Sequence, residues 1–326
     1  MSGSPGLSYF LRRLSQAVLV MFVVVLGNFL LIRLAPGDLV DVLGGTTDLS
    51  PEQALALRQR YGLDQPLLMQ FLRYAGNLLH FDLGFSPRQG APVVNVLLER
   101  LPTTLALVFL SLFLSVAIGT AVGVLAARRA GTVADFGLSL VVLLFYATPS
   151  FIIALLLILG FSVYLPWLPS AGISTPGLDL EGFAKLLDIG RHFILPVIAL
   201  STFYTAIYGR LSRAAMLEVL SQDFIRTARA KGVPERSLLW RHALRNALMP
   251  IVTMAGLQVS SLLGGAVLIE TVFGLPGIGR TAFDAVMERD TNMLLGVLFM
   301  SSLGVVCVNL LVDLIYRLVD PRVELA

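Results

Sequence analysis

The chain has 326 residues, 56% hydrophobic and 14% charged, with a mean hydropathy of +0.82 and a formal net charge of +3. A soluble domain carries charge on roughly a quarter of its residues, so the composition excludes an ordinary soluble enzyme and points into a bilayer. The single Cys307 excludes a disulfide framework or a thiolate metal site.

Apolar runs of about 18 or more residues suffice to cross the hydrocarbon layer as helices. Six are predicted, near 14–32, 101–127, 137–164, 194–209, 249–269 and 293–315, so the fold class is an all-α polytopic membrane protein. The first run follows Arg12-Arg13. It is long and no A-x-A site follows it, so it reads as an uncleaved helix rather than a signal peptide.

Residues 34–100 form a loop that is not low in complexity and reads as a small ordered domain. Ser50-Pro51-Glu52-Gln53 has the form of a capping box with Pro at the first helical position, opening a short helix that ends near Gly62. Pro66 to Phe81 has apolar residues at near-helical spacing and suits a helix lying along the membrane surface. The loop either caps the helix bundle or meets a partner from outside, and its residues do not separate the two.

The third span contains Tyr146-Ala147-Thr148-Pro149-Ser150, read as a packed kink because Pro removes one backbone hydrogen bond. Arg210 and Arg213 cut the fourth span short, and it is expected to continue as a helix that surfaces. Tyr204 and Tyr208 on that span, with Gln258, Ser260 and Ser261 on the fifth, sit among small residues. They either let helices approach closely or line a solvated path. No span carries a charge at mid-depth, which weighs against a proton or ion relay.

Ser221 to Pro250 carries the most information. A first helix near 214–231 mixes Phe224, Ile225 and Ala228 with Arg226, Arg229 and Lys231. Gly232 supplies the left-handed conformation that ends helices, and Pro234 suits the first position of the next one. Trp240, Ala243, Leu244, Ala247 and Leu248 then make an apolar face, with Arg236, Arg241 and Arg245 on another. Anchoring to anionic headgroups, worth about 1 kcal/mol per cation, explains the charge. It does not explain Gly232, Pro234 and Trp240 in sequence, so the segment reads as a helix–Gly–helix hook on which another protein docks.

Beyond the fifth span, Gly277-Ile278-Gly279-Arg280-Thr281-Ala282 fits G-x-G-x-x-A. It lies in a short loop rather than a strand–turn–helix unit, and is discarded as a dinucleotide site. No P-loop, H-E-x-x-H, C-x-x-C or G-x-S-x-G occurs, so no catalytic residues and no metal ligands are assigned. Orientation follows from cations. Segments 1–13, 128–136, 210–248 and 316–326 hold 14 Lys and Arg against 6 Asp and Glu, whereas 33–100, 165–193 and 270–292 hold 10 against 14. Both termini and the hook are therefore expected on the cytoplasmic side. The pI near 9.2 reflects this bias rather than nucleic-acid binding.

The run Arg226-Thr227-Ala228-Arg229-Ala230-Lys231-Gly232, followed by Trp240-Arg241-His242-Ala243-Leu244-Arg245-Asn246-Ala247-Leu248 and Pro250, resembles the EAA loop of ABC-importer permeases. More narrowly it resembles the B-type permease subunit of the dipeptide/oligopeptide/nickel branch. Arg33-Leu34-Ala35-Pro36-Gly37-Asp38, Leu98 to Thr104, Phe273 to Gly279 with Arg289-Asp290, Asn309 to Asp313 and Asp320-Pro321-Arg322 extend the likeness over the chain. The generic motif begins with Glu where this chain has Arg226, and its Pro falls sooner than Pro250.

The resemblance implies a type I ABC importer permease fold in a bacterial inner membrane. Its parts would be a first helix within 1–33, an extracytoplasmic domain at 34–100 and a five-helix core at 101–326 that includes the coupling loop at about 214–248. It implies a heterodimer with a second permease, two ATPase subunits and an extracytoplasmic binding protein. ATP and Mg would be used by the ATPases, with no cofactor on this chain. Phe224, Arg226, Thr227, Ala228, Arg229, Lys231, Gly232, Arg236, Trp240 and Arg241 are the implied ATPase-coupling residues, and Asp38 and Arg88 the implied binding-protein contacts. Relatives handle peptides, nickel chelates, glutathione and other small solutes. A stand-alone secondary transporter is the competing class, and would show inverted repeats and buried ionisable residues.

Overall fold

Long runs rich in Leu, Ala, Val and Ile with few breakers satisfy every backbone group within one helix, the condition for lying in lipid. A computed structural model describes residues 5–34, 52 and 65–319. In it α1 spans Pro5–Leu34 and α2 Leu67–Leu79, followed by the two-residue strands β1 (Phe85–Ser86) and β2 (Ala91–Pro92). Next come α3 (Val93–Arg128), α4 (Val133–Ala147) and α5 (Ser150–Ile158), which runs on through a π-helical turn at Leu159–Tyr164. α6 is Gly182–Leu220 and α7 Asp223–Ala230. α8 (Glu235–Ser237) continues through π-helical Leu238–Ala243 into α9 (Leu244–Val272), and α10 (Ile278–Met287) and α11 (Thr291–Val319) complete the chain.

Among the described residues five helices are long and apolar enough to cross a membrane, and α4 with α5 meets the same length and composition only as a bent pair. The two halves meet at 99°. That is far more than the packed kink expected from Pro149, which sits at the N-cap of α5 instead of inside one helix. The fourth span continues past Arg210 and Arg213 as expected, and it also begins earlier, at Gly182. As α6 it is 39 residues without interruption, about 58 Å at 1.5 Å per residue, and its last turns lead directly to the hook. The capping box at 50–53, the helix expected to end near Gly62, and Asp38 lie outside the described residues, Glu52 apart.

The chain divides into two compact units. In the first, Phe71 of α2 packs edge-on to Phe22 and Phe29 of α1, with centroids 6.1 and 5.5 Å apart. β1 and β2 pair antiparallel, Phe85 with Pro92 and Ser86 with Ala91. This hairpin is pinned to the start of α11: Ser86 Oγ donates to the buried Asp290 carboxylate, and Asn292 Nδ2 donates to the Phe85 carbonyl at 2.9 Å. Asp290 also caps α11 by accepting from Met293 N–H at 3.0 Å.

The second unit is organised around α6. α3 approaches it closely, because Gly119 and Gly123 present no side chain to it. A Cβ at Gly119 would lie 2.6 Å from Tyr208 Cβ, and one at Gly123 would lie 2.5 Å from Ser212 Cβ. This is a small-xxx-small contact, in which van der Waals packing replaces the hydrophobic drive that lipid removes. Ser115 Oγ adds a hydrogen bond to the Ser201 carbonyl at 3.1 Å. Further along, Arg213 of α6 grips Asp135 of α4 with two parallel bonds, Nε to Oδ1 at 2.8 Å and Nη2 to Oδ2 at 2.7 Å.

Candidate coupling site

The hook is built by local rules. α7 ends in a Schellman motif: Gly232 takes φ +75°, its N–H reaches the Arg229 carbonyl at 3.0 Å, and Val233 N–H reaches back to Ala228 at 3.2 Å. Pro234 stands at the N-cap of the following helix rather than at its first position, and its carbonyl accepts from Leu238 N–H at 3.0 Å. Arg229 clasps Glu235 across the turn, with Nη2 to Oε1 at 3.0 Å. Each piece fixes the angle between two short helices.

The hook is rooted in the spanning helices. Ile225 of α7 and Leu238, Leu239 and Ala243 of the π-helical turn are buried against Val124 and Ala127 of α3, Ala215, Met216 and Val219 of α6, and Ala247 of α9. A displacement of the hook therefore loads the ends of three spans through one close-packed cluster.

The polar side faces away. Phe224 is 41% and Trp240 44% exposed, and Arg226, Thr227, Arg229, Lys231, Arg236 and Arg241 are all exposed. Pro234, Arg236, Ser237 and Trp240 line an open concavity of about 480 Å³. Lys231, Arg236 and Arg241 have no acidic partner among the described residues. Arg226, which stands where the generic motif has Glu, pairs within its own helix with Asp223 at 3.3 Å. A rooted apolar side, an exposed aromatic pair and a cationic rim fit a protein partner with an acidic margin.

Ten coupling residues predicted from sequence thus occupy one hook: all but Ala228, which is half-buried behind Gly232, are exposed. The predicted apolar face needs correction. Ala243 and Ala247 of that face are buried and Leu244 half-buried as expected, but Trp240 and Leu248 are exposed, and Leu238 and Leu239 complete the packing. The π-helical turn at Leu238–Ala243 inserts a residue into the helical repeat and rotates the residues after it, which 3.6-residue periodicity cannot foresee.

Of the residues proposed to line a path, Tyr208 is fully buried and Tyr204 nearly so, both within the second unit. Gln258 and Ser260 are half-buried and Ser261 is exposed. Arg88 is exposed on the hairpin turn between β1 and β2.

The glycine pattern rejected as a dinucleotide site has a different use. Glu270, at the end of α9, is fully buried, accepts from Thr104 Oγ1 at 2.6 Å and from Arg280 N–H at 2.9 Å. Ile278 N–H donates to the same Thr104 hydroxyl at 2.8 Å. A Cβ on Gly277 would fall 2.2 Å from the Glu270 carboxyl carbon. The loop does cradle an acidic group at a helix N-terminus, but that group is the chain's own Glu270 carboxyl. The signal in the sequence is the pairing of Glu270 with two glycines seven and nine residues on.

Two family models cover nearly the whole chain. Residues 119–325 match the Binding-protein-dependent transport system inner membrane component, and residues 6–108 match the N-terminal portion of such components. The chain belongs to this family of importer permeases. A probable peptide ABC transporter permease protein of Sinorhizobium fredii is 42% identical over 317 residues, spanning 97% of this permease and 99% of that protein. A di/tripeptide transport system permease protein of Pseudomonas aeruginosa is 41% identical, covering 98% and 99%. The dipeptide transport system permease protein of Escherichia coli is 37% identical with the same coverage. Among solved structures, the MetNI methionine ABC transporter in inward-facing conformations aligns with a TM-score of 0.55 at 22% identity, over 69% of this permease and 96% of that chain. This last likeness establishes the shared fold.

Proposed function

We propose that the permease forms, with a second homologous permease, the path by which an ATP-driven importer carries short peptides inward. Relatives named for peptide, dipeptide and di/tripeptide transport, aligned from end to end, support the substrate class. Two ATPase subunits, which bind ATP and Mg, grip the hook on the cytoplasmic side. An extracytoplasmic binding protein delivers substrate to the face that carries the 34–100 domain, where Asp38 and Arg88 are the proposed contacts. The cation bias supports an orientation with both termini inside.

The observation that carries this reading is the buried joint at Ile225, Leu238, Leu239 and Ala243, which couples an exposed docking face to the ends of α3, α6 and α9. When the ATPases close, the hook turns as a lever and the spans change access. The test is reconstitution of the importer with its partners in liposomes. ATP-dependent uptake of a labelled dipeptide is expected. Uptake without the ATPases would establish a secondary transporter, and transport of nickel chelates or glutathione instead of peptide would refute the substrate class.

A further inference from the structure

The break between α4 and α5 lies about 20 Å along the span from Val133 at 1.5 Å per residue, within the apolar layer. Pro149 has no N–H to continue the ladder, and Thr148 spends both its N–H and its hydroxyl on the Leu144 carbonyl, at 3.0 and 2.8 Å. The carbonyls of Phe145, Tyr146 and Ala147 find no backbone donor among the described residues. Open backbone at this depth is tolerated only against protein or beside water. Yet Phe145, Tyr146, Ala147 and Pro149 are all exposed on the second unit.

Beside this break stands Arg210. Its guanidinium carbon lies 4.3 Å over the Tyr146 ring, whose other neighbour is Phe203, stacked with centroids 5.2 Å apart. Among the described residues Arg210 has no acidic partner, in contrast to Arg213 one turn later, which Asp135 neutralises. Side chains on a helix lean toward its N-terminus, and α6 runs toward the hook. Arg210, counted from sequence with the cytoplasmic segment, therefore leans back into the membrane, away from the headgroups a snorkelling cation would seek, and corrects the expectation that no charge enters a span. A cation held at depth beside unsatisfied carbonyls and flat aromatic rings marks a solvated pathway rather than a lipid-facing wall.

We propose that Arg210 and Tyr146, at the α4–α5 break, bind the C-terminal carboxylate of a peptide in transit. Arg210 supplies the forked donors that match a carboxylate, and Tyr146 keeps the guanidinium in place through its ring face. The open carbonyls of Phe145 to Ala147 take the peptide's N–H groups, and the Tyr146 and Phe203 rings accept its side chains. This rests on the reading of the permease as a peptide carrier.

The test uses the assembled importer without its binding protein, so that selection by that partner does not enter. Ser150→Cys, in a Cys307→Ser background, is labelled with a water-soluble thiol reagent in the presence of a dipeptide or of the same dipeptide as its C-terminal amide. The free acid is expected to protect at a concentration at least tenfold below the amide, and Arg210→Gln to abolish that difference, with Arg210→Lys keeping part of it. Retained ATPase stimulation in the variants shows that they fold and assemble. Equal protection by acid and amide, no protection by either, or a preference that survives Arg210→Gln each overturns the proposal, including the case in which Arg210 serves a lipid phosphate or an acidic group of the second permease. ATP-driven dipeptide uptake by the unmutated importer, measured alongside, tests the transport reading separately.

Discussion

At Gly232 two requirements coincide: a φ of +75° and an N–H that closes α7 onto Arg229. Proline fails both, since its ring fixes φ near −65° and removes the donor. Gly232→Pro is expected to release the ATPases from the purified assembly while membrane insertion is unchanged, as read by co-purification against the amount of permease in the membrane. Gly277 is constrained by space instead. A methyl group there would overlap the Glu270 carboxyl group, so Gly277→Ala forces the loop or Glu270 to move. Overpacking of this kind costs about 1–3 kcal/mol. A lowered melting temperature of the purified assembly is expected, and an unchanged one would show that the cradle yields freely. Gly232 is legible in sequence because a helix end announces itself locally. The role of Gly277 shows in sequence only as its spacing from Glu270, seven residues back, and becomes specific when the fold turns that carboxyl group into the loop.

Among the elements, the pair α3 and α6 is held by the absence of side chains at Gly119 and Gly123. Gly123→Leu is expected to drive these helices apart and to weaken uptake and thermal stability together, whereas Gly137→Leu, where nothing lies within 4 Å of a new Cβ, is expected to leave both nearly unchanged. Comparable losses at the two sites in a melting and uptake assay would contradict the packing account. The spacing Gly119-x-x-x-Gly123 is present in the sequence as the only two glycines of that span, but its partner helix is not encoded beside it. The six apolar runs are readable because lipid imposes length and composition on each. The 99° break is not, since Pro149 allows either a mild kink or a full stop and tertiary packing chooses. The phase of the helix after Pro234 escapes periodicity for a related reason, the π-helical residue inserted at Leu238–Ala243.

At the scale of the whole molecule, the permease has a polar, exposed hook joined to its spans and no P-loop in its sequence. If ATPase subunits drive it as proposed, the isolated permease is expected to release no phosphate from ATP above a protein-free control. Sustained hydrolysis by the chain alone would contradict this division of labour. The composition makes the membrane class legible, and the ordered run from Arg226 to Pro250 makes the hook legible. What the sequence does not carry is how the hook is rooted, because Val124, Met216 and Leu238 are ordinary apolar residues until the fold packs them into one cluster. The most direct measurement is crosslinking from Trp240→Cys, in a Cys307→Ser background, within an importer actively taking up peptide. A crosslink to an ATPase subunit whose yield changes between ATP-bound and nucleotide-free states is predicted. A hook that crosslinks to no ATPase, or that reacts with an impermeant reagent from outside the cell, would contradict the account.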